Sequence, residues 1–338
     1  MTNLLLGIDI GGRRIKAGLV DSNGLLCRQL AVPTPADIEQ FRYALESIIT
    51  EIAGTARIEA VGVACKGIID PETTKVEVVP GIFRFLEGVT LSQVVGAAVK
   101  EKVPVFADND ARVALMGERV WGAARGLRNV VMLTLGSGLG GAALVEGRLL
   151  HGKNSVGGHL GHVTINPRGP MCVCGNKGCL EAYFSGNAIE AEARAALCRG
   201  CESPMTAAFS NRPEDLTCEE IFRWAARQDP VAAAIVNRAI EYLAAGIAGL
   251  VHIFDPEMVI LGGQISLNDT VLLPTIRAEV GWRTQRLIRR PVPIVRQQLS
   301  DPSGVIGAAA LAHLCCQGRA EAKSLSARDR AFSGLIEN

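Results

Sequence analysis

Leu4-Leu5-Leu6-Gly7-Ile8-Asp9-Ile10-Gly11-Gly12-Arg13-Arg14-Ile15-Lys16-Ala17-Gly18-Leu19-Val20 is the stretch on which the fold class turns. The apolar run Leu4 to Ile10 reads as a strand, Gly11-Gly12 turns it, and Ile15 to Val20 is a second strand. Ser22-Asn23-Gly24 then supplies a hairpin turn before a third run, Leu25 to Val32. Asp9 arrives at the first turn together with two glycines. Bare backbone there lets amide groups approach a phosphate, and the carboxylate is able to hold a divalent ion. A plain hairpin closed by Gly-Gly would look the same, so this segment alone leaves both readings open.

Working outward, the spacing of Ile38, Phe41, Leu45, Ile48, Ile49 and Ile52 predicts a helix over about Ala36 to Ala53. Strand signals recur at Ile58 to Ala64, Val103 to Phe106, Val130 to Leu135, Gly140 to Val145, Met258 to Leu261 and Val292 to Val295, with helices between several of them. Three early strands in a meander followed by alternation with helices indicate an α/β protein with mixed sheets. The clearest helix, Val231 to Phe254, carries one apolar stripe read as core packing and stops at Asp255-Pro256. A last apolar helix, Val305 to Cys316, precedes a polar tail, Gln317 to Asn338, expected to be poorly packed or a terminal helix. No internal repeat of fixed period stands out.

Composition narrows the function classes. With 35 Lys and Arg against 34 Asp and Glu the net charge is +1, which excludes nucleic-acid binding through overall basicity. A 48% hydrophobic content supports a large core. Met1-Thr2-Asn3 lacks the basic start of a signal peptide, and no apolar run reaches the roughly 18 residues of a membrane span. Ten cysteines, three of them crowded between Cys172 and Cys179, then point to a reduced cytoplasmic protein and to metal in place of disulfides. Glycine is in excess, 37 of 338 residues against an average usage of about 7%, and tight turns close to ligands are the expected reason.

Two further constellations carry chemistry. Thr134-Leu135-Gly136-Ser137-Gly138-Leu139-Gly140-Gly141 repeats the strand-turn-strand device of the first hairpin. It is neither a dinucleotide fingerprint nor a P-loop, because no helix follows and the Lys-Ser/Thr pair is missing. Two such hairpins could clamp a polyphosphate from opposite sides. The other is Gly161-His162 followed by Cys172-Val173-Cys174-Gly175-Asn176-Lys177-Gly178-Cys179. One nitrogen and three thiolates, from His162, Cys172, Cys174 and Cys179, form a closed tetrahedral set suited to structural zinc. Gly175 and Gly178 would let the chain fold tightly around the ion.

Asp9-x-Gly11-Gly12, the triplet Asn109-Asp110-Ala111, the Gly136-Ser137-Gly138-Leu139-Gly140-Gly141 turn, Gly161-His162 with the Cys-x-Cys-Gly-x-x-Gly-Cys-Leu-Glu stretch, and Asp255-Pro256-Glu257 with Gly262-Gly263 occur in this order. Over about Leu4 to Leu314 the sequence resembles the ROK family (repressors, open reading frames and kinases) of sugar kinases. The resemblance implies a two-lobed actin-like ATPase, or ribonuclease H-like, fold with a cleft between the lobes. Residues 1–109 with about 302–316 would form the smaller lobe, 110–301 the larger, zinc-bearing one, and 317–338 the tail. It implies an ATP-dependent transfer to the hydroxyl of a hexose, with Asp110 as general base and Mg²⁺ bridging the phosphates. Asp9, Gly11, Gly12, Arg13, Gly136, Ser137 and Gly138 would serve the phosphates, and Gly262 and Gly263 would make room for adenosine. Asn109, Asp110, His159, His162, Glu181 and Gly67 match sugar-binding positions, with His162 serving zinc and sugar at once. Asn109-Asp110 would equally suit the N-cap of a helix over Ala111 to Val120. A homodimer is expected from the resemblance alone.

The chain also departs from the family pattern. His159 stands where a carboxylate is usual, Gly81 where an asparagine follows Val79-Pro80, Arg13 where a threonine is frequent, and Cys65-Lys66-Gly67 in place of a Pro-Gly turn. Arg13 and Lys66 are each either pocket cations or solvated side chains. An imidazole in place of an acceptor-only carboxylate should change which hydroxyls are preferred. Three readings compete: a kinase of glucose, an N-acetylhexosamine or fructose; a regulator, for which a strand starting at Leu4 leaves no room for a DNA-binding helix pair; and a non-catalytic sugar-binding protein.

Overall fold

The meander forms as expected: β1 (Leu4–Ile10) is antiparallel to β2 (Arg14–Val20), which pairs with β3 (Leu26–Pro33). The computed structural model describes residues 4–79, 81–99, 102–267, 272–299 and 302–333. Helix α1 (Ile38–Ala53) starts where Asp37 caps the Gln40 amide, and its buried residues Phe41, Leu45, Ile48, Ile49 and Ile52 belong to the stripe anticipated from spacing. β4 (Ile58–Cys65) runs parallel to β1, and a small ribbon of β5 (Ile68–Ile69) and β6 (Val76–Val78) follows. After α2 (Leu91–Ala98), β7 (Val105–Asn109) joins β4 in parallel and leads directly into α3 (Asp110–Trp121). β7 begins past Pro104 and runs beyond the expected Phe106, because Asp108 and Asn109 are buried in the strand end at 1% and 6% exposure. The strand order is β3-β2-β1-β4-β7.

A second unit then opens with another meander: β8 (Val130–Leu135), β9 (Leu139–Val145) and β10 (Arg148–Leu149). Helices α4 (Gly186–Cys198), α5 (Pro204–Phe209), α6 (Cys218–Ala226) and α7 (Pro230–Phe254) lead to β11 (Met258–Gly262), parallel to β8. α8 (Leu272–Thr284) and β12 (Ile294–Arg296) complete it, the strand being shortened by Pro291 and Pro293, which lack the amide a ladder needs. The order β10-β9-β8-β11-β12 repeats that of the first sheet, although no repeat is visible in the sequence. α7 corrects one expectation: it is long and apolar enough, by length and composition, to cross a membrane, with mean hydropathy 1.4 over its most apolar window. Of that window 56% is buried, and Ile235, Leu243, Ile247 and Val251 lie in the core of this unit, which accounts for the composition.

Helix α9 (Ser303–Ser333) returns to the first unit. Gly18, Gly7 and Gly62 stand in one row across β2, β1 and β4. A Cβ on Gly7 would enter the Val305 carbonyl and one on Gly62 the Ala308 carbonyl, so backbone of α9 lies directly on backbone of the sheet. On another side of α9, a Cβ on Gly307 would come within 2.5 Å of the Val113 carbonyl of α3. Glu118 of α3, 1% exposed, accepts the Leu299 amide at 2.8 Å where the chain approaches α9. For these reasons α3 stays with the first unit, and the units divide after Arg125 and Gln298, not at Asn109 as the sequence suggested. The tail is helical to Ser333; residues 334–338 of the predicted tail lie outside the described residues.

Candidate functional site

In the first unit the register aligns Ile10, Cys65 and Asn109 in one row across β1, β4 and β7. Gly11, Lys66 and Asp110 therefore leave the sheet together at the C-terminal edge of parallel strands, where ligands of open α/β sheets bind. The turn after β1 is tight: the Gly11 amide donates to the Arg14 carbonyl at 3.1 Å, and a Cβ on Gly11 would meet that carbonyl at 2.9 Å. Among the described residues a Cβ on Gly12 would meet Phe83 alone, at 3.9 Å, so packing does not require glycine there. Arg13 is exposed on the turn. Asp9 lies against the first turn of α9, where a Cβ on Gly304 would come within 2.5 Å of its Oδ2. The carboxylate thus complements the positive end of a helix as well as suiting the phosphate role.

The helix cap anticipated for Asn109-Asp110 falls on Asn109. Its Oδ1 accepts the Ala111 and Arg112 amides at 3.0 and 3.4 Å, and its Nδ2 donates to the Gly67 carbonyl at 3.0 Å. Most of the Asn109 amide is thereby used inside the protein, and Gly67, at φ 104°, holds Asn109 through its carbonyl. Asp110 is left in the first turn of α3 with its side chain exposed to solvent and one bond to the Ala111 amide at 2.9 Å. Although the side chain reaches solvent, the protein around it crowds water from the carboxylate and raises its pKa above the ordinary value, opposed by the Ala111 amide, the Lys66 charge, Asn109 and Arg112. A raised carboxyl is a better proton acceptor once ionised. Sequence reasoning missed the pair beneath it: Arg112, 1% exposed, donates from Nε to Asp108 Oδ1 at 2.8 Å, and the same oxygen accepts the Asn109 amide at 2.7 Å. Charged residues beside an apolar run read as a solvated loop; only burial exposes their role.

The second unit repeats the arrangement. Gly136-Ser137-Gly138 links Leu135 to Leu139, and the Gly186 and Asn187 amides opening α4 donate to the Gly136 and Ser137 carbonyls at 2.8 and 3.1 Å. The helix start is thus spent on fixing the loop. Among the described residues a Cβ on Gly136 would meet only the Gly138 carbonyl, at 4.0 Å, so packing does not require glycine there either. Gly262 ends β11 and Gly263 follows it on the same edge, but both are also packed: a Cβ on Gly263, at φ 82°, would stand 2.5 Å from the Leu135 carbonyl, and one on Gly262 would stand 2.3 Å from Gln297 Oε1 and 2.8 Å from the Met132 side chain.

Glu181 joins two motifs that the sequence kept separate. Its Oε2 accepts the Leu139 amide at 2.8 Å, against Gly138, and its Oε1 lies 3.8 Å from Cys172 Sγ. His162 Nδ1 is 3.5 Å from Cys172 Sγ, Cys174 and Cys179 sulfurs are 3.7 Å apart, and all four ligand atoms fall within 4.8 Å of one another. Two sulfurs each about 2.3 Å from one tetrahedral ion would stand about 3.8 Å apart, so the donor set fits zinc. Gly175 and Gly178 adopt φ 87° and 72°, the left-handed turns this folding requires. Burial pushes the Cys172 thiol up to about 12 and raises Cys179, whereas at Cys174 burial is outweighed by hydrogen bonds from Asn176 and the neighbouring sulfurs, which lower it. His159 stacks on His162 with ring centres 6.5 Å apart, its Nδ1 at 3.1 Å from the Val156 carbonyl. All ten cysteines are free of disulfides.

Similarity to known proteins agrees with this geometry. The chain is 33% identical to a glucokinase of Thermotoga maritima over 309 residues, 91% of this chain and 96% of the relative. It is 32% identical to an N-acetylmannosamine kinase of Vibrio cholerae over 79% of this chain and 86% of that one. Among solved structures, a ROK family glucokinase from Streptomyces griseus in complex with glucose and AMPPNP superposes with a TM-score of 0.80 at 31% identity, covering 92% of this chain and all of the other. The fold is accordingly the two-lobed α/β fold of actin-like ATPases. With the ROK family model matching residues 5–314, the paired Gly hairpins, the Asn109-Asp110 helix start and the Cys/His cluster have one common explanation: the chain belongs to the ROK family.

Proposed function

We propose that this protein is an ATP-dependent sugar kinase that phosphorylates a hexose, glucose first, with N-acetylmannosamine, N-acetylglucosamine and fructose as alternative acceptors. The observation that carries the reading is the Asp110 carboxylate, raised and solvent-exposed, at the same sheet edge as the Gly11-Gly12 turn. In the transfer the acceptor hydroxyl oxygen bonds to the γ-phosphorus, the bond to the β–γ bridging oxygen breaks, and the hydroxyl proton passes to Asp110. The residues proposed for the phosphates are Asp9, Gly11, Gly12 and Arg13 in the first unit and Gly136, Ser137 and Gly138 in the second, with Gly262 and Gly263 proposed for the nucleoside. A bound Mg²⁺ would neutralise phosphate charge. Asn109 and Gly67 in the first unit, and His159, His162 and Glu181 in the second, are the residues proposed for sugar contacts, and Glu181 also holds the Gly136-Gly138 loop through the Leu139 amide. His162, Cys172, Cys174 and Cys179 would hold a structural zinc that fixes His162 and the Cys172–Cys179 loop.

A coupled ADP-release assay over hexoses, N-acetylhexosamines and fructose tests the assignment. One sugar should stimulate ATP consumption at least tenfold over background. Binding of a sugar by calorimetry with no stimulated turnover would return the chain to the non-catalytic reading.

A further inference from the structure

Lys66 has no role in the activity described so far. Its backbone sits between Gly11 on β1's side and Asp110 on β7's side, because Ile10, Cys65 and Asn109 share one register row and neighbouring strands lie about 4.8 Å apart. Both flanks are fixed: Cys65 is 1% exposed in the strand end, and Gly67 is held at φ 104° with its carbonyl bonded to Asn109. The Lys66 side chain is exposed, and its charge reaches Asp110. Asp9 and Asp110 both act on the buried Cys65 thiol between them; of the cations nearby, Lys16 stands opposite Asp9 in the β1–β2 register, Arg112 is bonded to Asp108, and Arg13 stands out on the hairpin. On the Asp110 side of this edge Lys66 is an exposed cation, able to add to the charge neutralisation that a bound Mg²⁺ would supply as the phosphoryl group is transferred.

We propose that Lys66 is a catalytic residue, its ammonium meeting the equatorial oxygens of the γ-phosphoryl group as that group moves from the Gly11-Gly12 side to the acceptor hydroxyl at Asp110. This rests on Asp110 being the base. The acceptor O–P bond forms, the bond from phosphorus to the bridging oxygen breaks with its electron pair leaving on ADP, and the proton goes to Asp110. Lys66 keeps its own protons and supplies charge only, the preorganised stabilisation that is worth most where charge is in transit.

The test uses Lys66→Met, Lys66→Arg and Asp110→Asn in the full chain, with MgATP and whichever panel sugar gives the highest rate. Lys66→Met should lower kcat about 100-fold with sugar KM changed less than about threefold, and Lys66→Arg should restore at least a tenth of the native rate. Loss of the cation leaves Asp110 harder to ionise, so the acid limb of the kcat/KM profile should move to higher pH in Lys66→Met and stay in place in Lys66→Arg. A Lys66→Met kcat within about threefold of native, or a fall that Lys66→Arg does not relieve with an unmoved acid limb, overturns the proposal while an inactive Asp110→Asn leaves the base in place. Near-native turnover by Asp110→Asn removes the base, and the Lys66 role with it.

Discussion

Asn109 and Asp110 divide two tasks that one residue usually cannot perform together. Because Asn109 satisfies the amides that open α3, the adjacent carboxylate is not needed for the cap and reaches solvent. The Asp108–Arg112 pair beneath holds that division of work in place, and a one-dimensional reading gave no sign of it. The Cys/His cluster proposed for zinc is the opposite case, since its four donors fall within eighteen residues and announce themselves by spacing. Elemental analysis should find about one zinc per chain. Cys174→Ser should cut that content by more than half and lower the thermal midpoint, because binding free energy of a structural metal is folding free energy. Unaltered metal content in the variant would show that the ligand set is wrong.

Two elements have local sequences that fix their shape and distant contacts that fix their value. The glycine row Gly18-Gly7-Gly62 under α9 allows no side chain at its centre. Gly62→Ala should therefore cost about 3 kcal/mol or more in urea unfolding, at the upper end of overpacking, since the clash is with backbone and not with a rotatable side chain. A loss below about 0.5 kcal/mol would mean that α9 does not lie where described. At α7, Asp229 is 3% exposed and accepts the Val231, Ala232 and Met205 amides at 3.0, 2.9 and 2.8 Å. Burial alone would raise its carboxyl, but these bonds, with Ser203, hold it below the usual value. A depressed folded-state pKa contributes stability that is present above the unfolded value, about 3.9, and is lost as pH falls through the folded one. Asp229→Ala should cost about 2 kcal/mol at pH 7, and the gap from the native protein should narrow only below about pH 4. A gap that closes already between pH 5 and 6 would contradict the assigned cause.

At the scale of the molecule, two sheets with the same strand order each place a Gly turn after the first strand and a second glycine-containing turn after the fourth. The units differ in how the chain closes them. The second is continuous in sequence from 126 to 298, whereas the first depends on α9 returning from the far end of the chain. A protein ending at Gln298 should lose amide-exchange protection across β1, β4 and β7 while keeping it in α7, β8 and β11; equal protection throughout would show that α9 is dispensable. The sequence by itself determined the main strands, α7, the two Gly hairpins, the grouping of His162 with the three cysteines and the family, and from it the zinc ligand set and the Asp110 base are proposed. Each of these is written in a short window, through periodicity, turn chemistry or donor spacing. Only the tertiary structure decided that the excess glycine also serves a sheet-helix contact, that Asn109 caps so that Asp110 need not, that Glu181 bridges loop and cluster, and that Lys66 stands beside Asp110. Those facts depend on register between strands and on contacts between residues far apart in the chain, and no local pattern encodes them.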